Sequence, residues 1–311
     1  MIDSAPEGAR IIDLGAKRVR RSIGRLASYL RDERPDALLA AMWPLTVVAP
    51  LAAKMVRFGG RVLISEHAPQ SLSYAMRGRL HNKLMAWSMK AAYPLASARV
   101  AVSSGVADDM AKLASVPRDR ITVIHNPAAT GRFVSPLAAT RPIPPDAGPM
   151  IVTVGTLKPV KRHDLLIRAF AKLDFPGARL CIVGEGQERS RLELLASELG
   201  VSARVLMPGF QPDPSTWYAH ADLFVLSSDH EGFGNVIVEA LEQGTPVVST
   251  DCPVGPREIL QGGRFGTLVP VGDVDALAEA MKEALCASHD RSALMRRAAD
   301  FSLEKASTAY L

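Results

Sequence analysis

Apolar runs of strand length alternate with helical patterns along almost the whole chain, and this alternation restricts the fold more than any other feature. Strands are expected near residues 37–41, 61–65, 99–102 and 120–124, and again near 150–154, 178–183, 204–207, 223–226 and 246–249. Strand, helix, strand in repetition implies parallel sheets, because a parallel pair needs a long crossover between its strands. Gly184, Gly209 and the pair Ser227-Ser228 each stand just after such a run. Loops leaving the carboxyl ends of parallel strands are where open α/β sheets bind their ligands.

The chain has 311 residues, enough for two domains with separate cores. Between its halves lies "SPLAATRPIPPDAGP", residues 135–149, with five prolines in fifteen positions. Proline fixes φ and removes a donor, so this stretch reads as a semi-rigid linker. The expected division is a domain over 1–135, a linker over 136–149 and a second domain over 150–311. A hinge there would let a cleft between the domains close on a ligand.

Composition bounds the class. Apolar residues make up 48% and charged ones 22%, which suits a globular protein rather than a disordered one. Cys181, Cys252 and Cys286 are odd in number and widely spaced, pointing to a reducing compartment and away from a structural zinc site. Residues 37–53 ("ALLAAMWPLTVVAPLAA") carry no charge and approach spanning length, yet Pro44 and Pro50 interrupt them. A strand, a loop and a buried helix is the expected form. The first ten residues show no basic segment leading into an apolar one, so a cytoplasmic location is expected, with the inner face of the membrane as a second station.

The net charge of +5 is unevenly spread: residues 1–100 hold 16 Lys/Arg against 7 Asp/Glu, while the remainder hold 21 against 25. Lys17, Arg18, Arg20, Arg21, Arg25, Arg31 and Arg34 form part of the excess. Two readings fit, a solvated helix face and a surface for anionic lipid or a phosphate-bearing substrate. Nucleic acid is not an expected partner, since no aromatics are interleaved for base stacking.

The segment with the most chemistry is "EGFGNVIVE", residues 231–239. Helical spacing begins at Gly234-Asn235 and stops at Gln243, before Gly244 and the Thr245-Pro246 pair. Asn235 is the expected N-cap. Gly232 and Gly234 offer no Cβ to obstruct an anion approaching the free N–H groups of the first turn, Val236 included. Glu231 is placed on the loop and Glu239 in the second turn, at the edge of the apolar stripe, with Glu242 further out and solvated. Two carboxylates beside an anion site suit a ligand carrying both hydroxyls and phosphate. A glycosidase-like acid/base pair is the rival, and it leaves the anion site unused.

"SSDHEGFGNVIVEALEQGTPVVSTD" resembles the E-x7-E segment of retaining glycosyltransferases of family 4. Further likeness lies in "RVLISEHAP", "ARVAVSSGVADDM", "ITVIHNP", "VTVGTLKPVKRHDLLIRAF", "CIVGEGQERSRLELLASELGV", "VLMPGF…YAHADLFVLSS", "TDCPVGPREIL" and "GTLVPVGDVDALAEAM". The resemblance implies a GT-B fold, two Rossmann-like domains with parallel sheets facing a central cleft. It implies a nucleotide diphosphate sugar as donor, a glycan or lipid-linked acceptor, and a role in polysaccharide or lipopolysaccharide synthesis.

By the same resemblance Glu239 binds the donor's ribose hydroxyls, and Glu231 with backbone at Gly232 and Phe233 holds the transferred sugar. Lys161 neutralises the pyrophosphate beside Gly155, Thr156 and Gly184. His67 lies near the reacting sugar, and backbone around Gly209 and Phe210 frames the base. No cofactor or metal is implied. Asp273-Val-Asp275 therefore reads as a helix cap rather than a manganese site. The family's usual arginine after the loop glycine is Thr156 here, with Lys158 or Arg162 as candidate replacements. The usual acidic residue after "NP" is absent. Against the resemblance, the family's first strand, glycine loop and helix are missing and the N-terminal domain is incomplete, and the end looks clipped before the family's closing helix, as expected of a fragment, a start called late or a natural short form. Two readings follow, an active transferase and a donor-binding remnant with impaired catalysis.

Overall fold

A computed structural model describes residues 8–16, 18–136, 140–144 and 148–311, excepting the side chains of Arg20 and Met76. Lys17 and six positions of the proline-rich stretch lie outside the described residues. The chain divides into two compact units, one of residues 1–102 with 106–123, the other of 103–105 with 124–311.

The first unit is built on a sheet of β1 (Ala37–Ala41), β2 (Arg61–Glu66), β3 (Ala98–Ala101) and β4 (Thr122–Val123), parallel and in chain order. Its helices are α1 (Ile23–Glu33), α2 (Leu45–Met55), the single turn α3 (Gln70–Ser73), α4 (Arg79–Ala92) and α5 (Ser104–Ala114), whose first two residues count with the second unit. The charge-free run over 37–53 becomes β1, a loop and α2, with Pro50 inside the helix. Ala27 and Leu30 of α1 pack on Ala52, Ala53 and Val62. Among the described residues no helix is long and apolar enough to cross a membrane.

The second unit carries a six-stranded sheet: β5 (Met150–Val154), β6 (Arg179–Val183), β7 (Val205–Gly209), β8 (Leu223–Leu226), β9 (Val247–Thr250) and β10 (Thr267–Val269). The helices are α6 (His163–Lys172), α7 (Arg189–Glu198), α8 (Ser215–His220), α9 (Asn235–Glu242), α10 (Pro256–Ile259), α11 (Val274–Cys286), α12 (Arg291–Ala298) and α13 (Leu303–Tyr310). Every residue of β8 and β9 is buried, as expected where helices cover both faces of a parallel sheet. Ile151, Leu180 and Val225 of the sheet pack on Leu166, Phe170, Leu277 and Met281.

Strand order is β10-β9-β8-β5-β6-β7, all parallel. The order therefore reverses between β5 and β8. Such a reversal is the switch point of an open α/β sheet, at whose carboxyl edge ligands bind.

Candidate functional site in the second unit

The loop after β5 starts at Gly155, and its position is set by close backbone packing. Gly155 N–H donates to Val183 O (3.0 Å), Gly184 N–H to Gly209 O (2.9 Å) and Leu157 N–H to Glu185 O (2.9 Å). A Cβ on Gly184 would lie 2.0 Å from Gly155 O, and φ there is +145°. Only glycine lets the three strand ends approach so closely. Thr156 is exposed.

Lys161 ends the β5 loop. Its carbonyl accepts from Ser227 Oγ (2.8 Å), and Asp229 N–H donates to Val160 O (2.9 Å), tying this loop to the one after β8. Lys161 Nζ then meets Glu231 Oε1 at 2.6 Å, and Ser228 Oγ donates to the same oxygen at 2.6 Å. The lysine and glutamate side chains are 22% and 10% exposed, so the pair is largely shielded yet reachable. Arg162 is paired with Asp164 and Asp229. Lys158 is exposed, with its N–H bonded to Thr156 O.

Beyond Glu231 the chain is pinned by Phe233, 2% exposed, whose ring stacks on His125 and meets Phe301 edge-on. His125 Nε2 lies 2.7 Å from Glu258 Oε1. Burial alone would raise the Glu258 carboxyl, but hydrogen bonds from His125 and from Ser104 hold it below the ordinary range. Gly255 packs so tightly here that a Cβ would fall 1.9 Å from Phe233 O. Gly232 and Gly234 are thereby fixed at the mouth of α9.

The expected N-cap is corrected. Gly234, at φ +103°, is the N-cap, and Asn235 is the first helical residue. Leaving a left-handed glycine, the Asn235 side chain turns outward, and its Oδ1 accepts from Asn126 Nδ2 at 3.0 Å. Eight residues of helix follow, with Ile237, Val238, Ala240 and Leu241 buried.

One turn along α9, Glu239 accepts from Tyr218 Oη at 2.7 Å. Burial raises the Glu239 carboxyl above its ordinary value, Tyr218 opposes this, and Glu242 and Asp213 add to it. Val154, Phe210, Tyr218, Val236, Glu239 and Arg132 help line a cavity of about 460 Å³. Phe210 is 70% exposed at its rim. Glu242 is not solvated as expected: Thr130 Oγ1 and Gly131 N–H donate to it at 3.1 and 2.6 Å, fastening a loop beside the cavity. Asp273 caps α11 by accepting from Asp275 N and Ala276 N, in agreement with the capping reading.

His67 belongs to the first unit. It follows β2 half-buried, with Nε2 3.1 Å from Ser65 Oγ. Beside it Glu66 is 1% exposed and accepts from Thr46, Tyr93 and Gln70 at 2.5–2.7 Å.

The second unit thus assembles Gly155, Lys161, Gly184, Gly209, Glu231, the glycine-flanked start of α9 and Glu239 along one sheet edge. Ser228, at a strand end already marked in the sequence, joins them, as do Tyr218, Thr130, His125 and Glu258 without any local sequence signal.

A family model described as Glycosyl transferases group 1 matches residues 141–301, and one described as Glycosyltransferase Family 4 matches residues 6–132. The lipopolysaccharide core biosynthesis glycosyltransferase LpsE of Rhizobium meliloti is 34% identical over 90% of this chain and 76% of its own. An N-acetylgalactosaminyltransferase of Campylobacter jejuni, named for an N-acetylgalactosamine-N,N'-diacetylbacillosaminyl-diphospho-undecaprenol substrate, is 30% identical over 86% of this chain and 69% of its own. Among solved structures, Anabaena HepE in complex with UDP superposes with a TM-score of 0.71 at 21% identity, covering 93% of this chain and 82% of that one. The chain belongs to the group 1 and family 4 glycosyltransferases, and it is a glycosyltransferase of GT-B fold.

Proposed function

We propose that this enzyme is a retaining glycosyltransferase that moves a sugar from a nucleoside diphosphate sugar to a lipid-linked glycan, in lipopolysaccharide or related polysaccharide synthesis. The observation that carries the reading is the Lys161–Glu231 pair at the β5/β8 switch point, beside the glycine-flanked start of α9. The related enzymes act in lipopolysaccharide core synthesis and on a diphospho-undecaprenol glycan, and a neighbour of the same fold holds UDP.

In this reading the diphosphate sits against the N-terminus of α9, where N–H groups and the helix dipole favour negative charge. Lys161 releases Glu231 to share its charge with the diphosphate. Glu231 and the backbone at Gly232 and Phe233 accept and donate to hydroxyls of the transferred sugar. Glu239 takes the ribose hydroxyls, and the cavity bounded by Phe210 and Tyr218 takes the base. The bond from the anomeric carbon to the phosphate oxygen breaks while the acceptor oxygen bonds to the same face of that carbon. The acceptor proton passes to the leaving diphosphate oxygen, and no bond to the enzyme forms. Stabilising the leaving group is then the protein's largest contribution. His67 is proposed to contact the reacting sugar.

Since Lys161 and the helix terminus supply the positive charge, binding is proposed to need no metal, and EDTA should leave nucleotide affinity unchanged. The decisive test is calorimetric titration with UDP, GDP and ADP, together with nucleoside diphosphate release from matched donor and acceptor. Lys161→Met should cut kcat/KM by roughly 100- to 1000-fold, as removing one donor to developing negative charge does in other enzymes. Glu239→Ala should abolish binding of whichever nucleotide the wild type prefers. Binding of none of the three by the wild type would overturn the donor site, and binding without turnover would support the impaired alternative.

A further inference from the structure

We propose that helix α4 of the first unit lies in the plane of an anionic lipid surface, with its outward face as the membrane-binding element. The reading rests on what the helix leaves uncovered. Leu80, Leu84 and Trp87 are 72%, 58% and 69% exposed, values unusual for large apolar side chains on a folded surface. At about 100° per residue they fall, with exposed Ala91, in one stripe about 60° wide. Arg79, Lys83 and Lys90 form a second stripe about 40° wide along one side of it, and all three are exposed. Met85, Met89 and Ala92, on the opposite side, are buried and attach the helix to its unit. Spacing of i, i+4, i+7 on an outward face makes this amphipathicity face solvent rather than core.

Charge selects the occupant. From residue 67 to residue 107 the sequence contains Arg77, Arg79, Lys83, Lys90 and Arg99 and no aspartate or glutamate. Arg79, Lys83 and Lys90 take part in no ion pair among the described residues. A second copy of the chain is a poor partner. Two-fold packing of this face on itself would set the cationic row against its own image with no carboxylate between. An in-plane helix, by contrast, sinks its Leu and Trp side chains to the acyl boundary and keeps its cations among anionic headgroups. An exposed Trp suits that depth, because its ring is amphipathic. The basic cluster at residues 17–34, for which the sequence leaves open a solvated helix face and a surface for anionic lipid or a phosphate-bearing substrate, lies on another segment. The element assigned here is a different one.

The proposal does not depend on the donor site, and its test uses no nucleotide. The full chain is floated with vesicles of phosphatidylethanolamine and phosphatidylglycerol, and in parallel with phosphatidylcholine alone, at physiological salt. Wild type should partition at least tenfold more strongly to the anionic vesicles. Combined Leu80→Ser, Leu84→Ser and Trp87→Ser should lower that partition at least tenfold, as should combined Arg79→Glu, Lys83→Glu and Lys90→Glu, with thermal melting unchanged. Trp87→Phe should keep the partition and remove fluorescence quenching by brominated acyl chains. Equal partition to both vesicles, or unchanged partition of either triple variant, would overturn the proposal. So would quenching that survives Trp87→Phe. A wild-type dimer made monomeric by the serine variant, without flotation, would assign the face to self-association and equally overturn it.

Discussion

Glu239 is a carboxylate in partly buried surroundings with Glu242 and Asp213 nearby, and the hydroxyl of Tyr218 is the partner that offsets this. Burial first, then those neighbouring carboxylates, raise its folded value above the unfolded one. For a carboxyl shifted in this direction, the unfolded chain ionises first as pH rises. Its contribution to stability is complete in acid, below the ordinary Glu range, and is lost as pH climbs through the raised folded value. Glu239→Gln keeps an acceptor for Tyr218 and removes the charge. The variant should melt higher than wild type at pH 8, melt alike near pH 3, and bind nucleotide more weakly at both. A melting point at pH 8 equal to or below that of wild type would show that the site does not strain the apo fold. Glu231 and Glu239 were legible in sequence because one short segment carries both. Tyr218 and Glu258 were not, since they meet Glu239 and His125 only through the fold. Glu242 was misread for the same reason, its partners lying in the distant loop at Thr130 and Gly131.

Among elements, strands β1 to β9 lie where the apolar runs placed them, to within one or two residues at their ends, because parallel strands covered on both faces must be continuously apolar. Strand β10, three residues long, was not anticipated: Thr267–Val269 pairs with β9 at the sheet edge and carries too little pattern to announce itself. Strand order was equally hidden, and with it the switch point that brings Lys161 to Glu231. The glycines at the strand ends were visible as residues but not as a layer. At Gly184 the sequence suggests a loop leaving a strand, and the structure adds backbone against backbone, Gly155 O 2.0 Å from where a Cβ would stand. Neither partner is a flexible side-chain end, so Gly184→Ala must separate β5 from β6 at their carboxyl ends. A loss of roughly 2–4 kcal/mol is expected from the positive φ and the displaced backbone together. Urea unfolding should show it, and nucleotide binding should weaken at temperatures where the variant is still folded. An alanine variant as stable as wild type would mean that the β5 loop can move away without cost, and Lys161 would then not be held by that layer.

Stability against pH belongs to the whole molecule, because every shifted group contributes to one folding equilibrium. Asp213, Glu258 and Asp300 weigh on the acid side within the second unit, and so do two neighbours at the start of α6. His163, first residue of α6, is 4% exposed, and its Nδ1 has no hydrogen-bond partner. Burial, with the nearby Lys161 charge, lowers its pKa to about 4. Asp164 beside it would be raised by burial, but Arg162 pulls it below the ordinary range. Both signs agree: the unfolded chain binds more protons than the folded one as pH falls, so stability drops. They differ in where this happens. The histidine acts from about 6.5, its ordinary value, down to about 4, whereas the aspartate acts only below the ordinary carboxylate range. Glu66 and Glu239, both raised, work in the opposite sense from the carboxylate range upward. The acid limb should therefore begin with His163 alone, which at full protonation in the unfolded chain costs roughly 3 kcal/mol. His163→Leu cannot be protonated and removes a buried nitrogen without a partner, so stability at pH 7.5 should change little. Urea midpoints measured at pH 7.5, 5.5 and 4 should fall steadily for wild type relative to the leucine variant, whose own midpoint stays level or rises as Glu66 and Glu239 take up protons, until the carboxylates of lowered value begin to titrate. Parallel declines in the two proteins would mean that His163 takes up its proton within the folded state, and that the α6 start beside Lys161 is open to water.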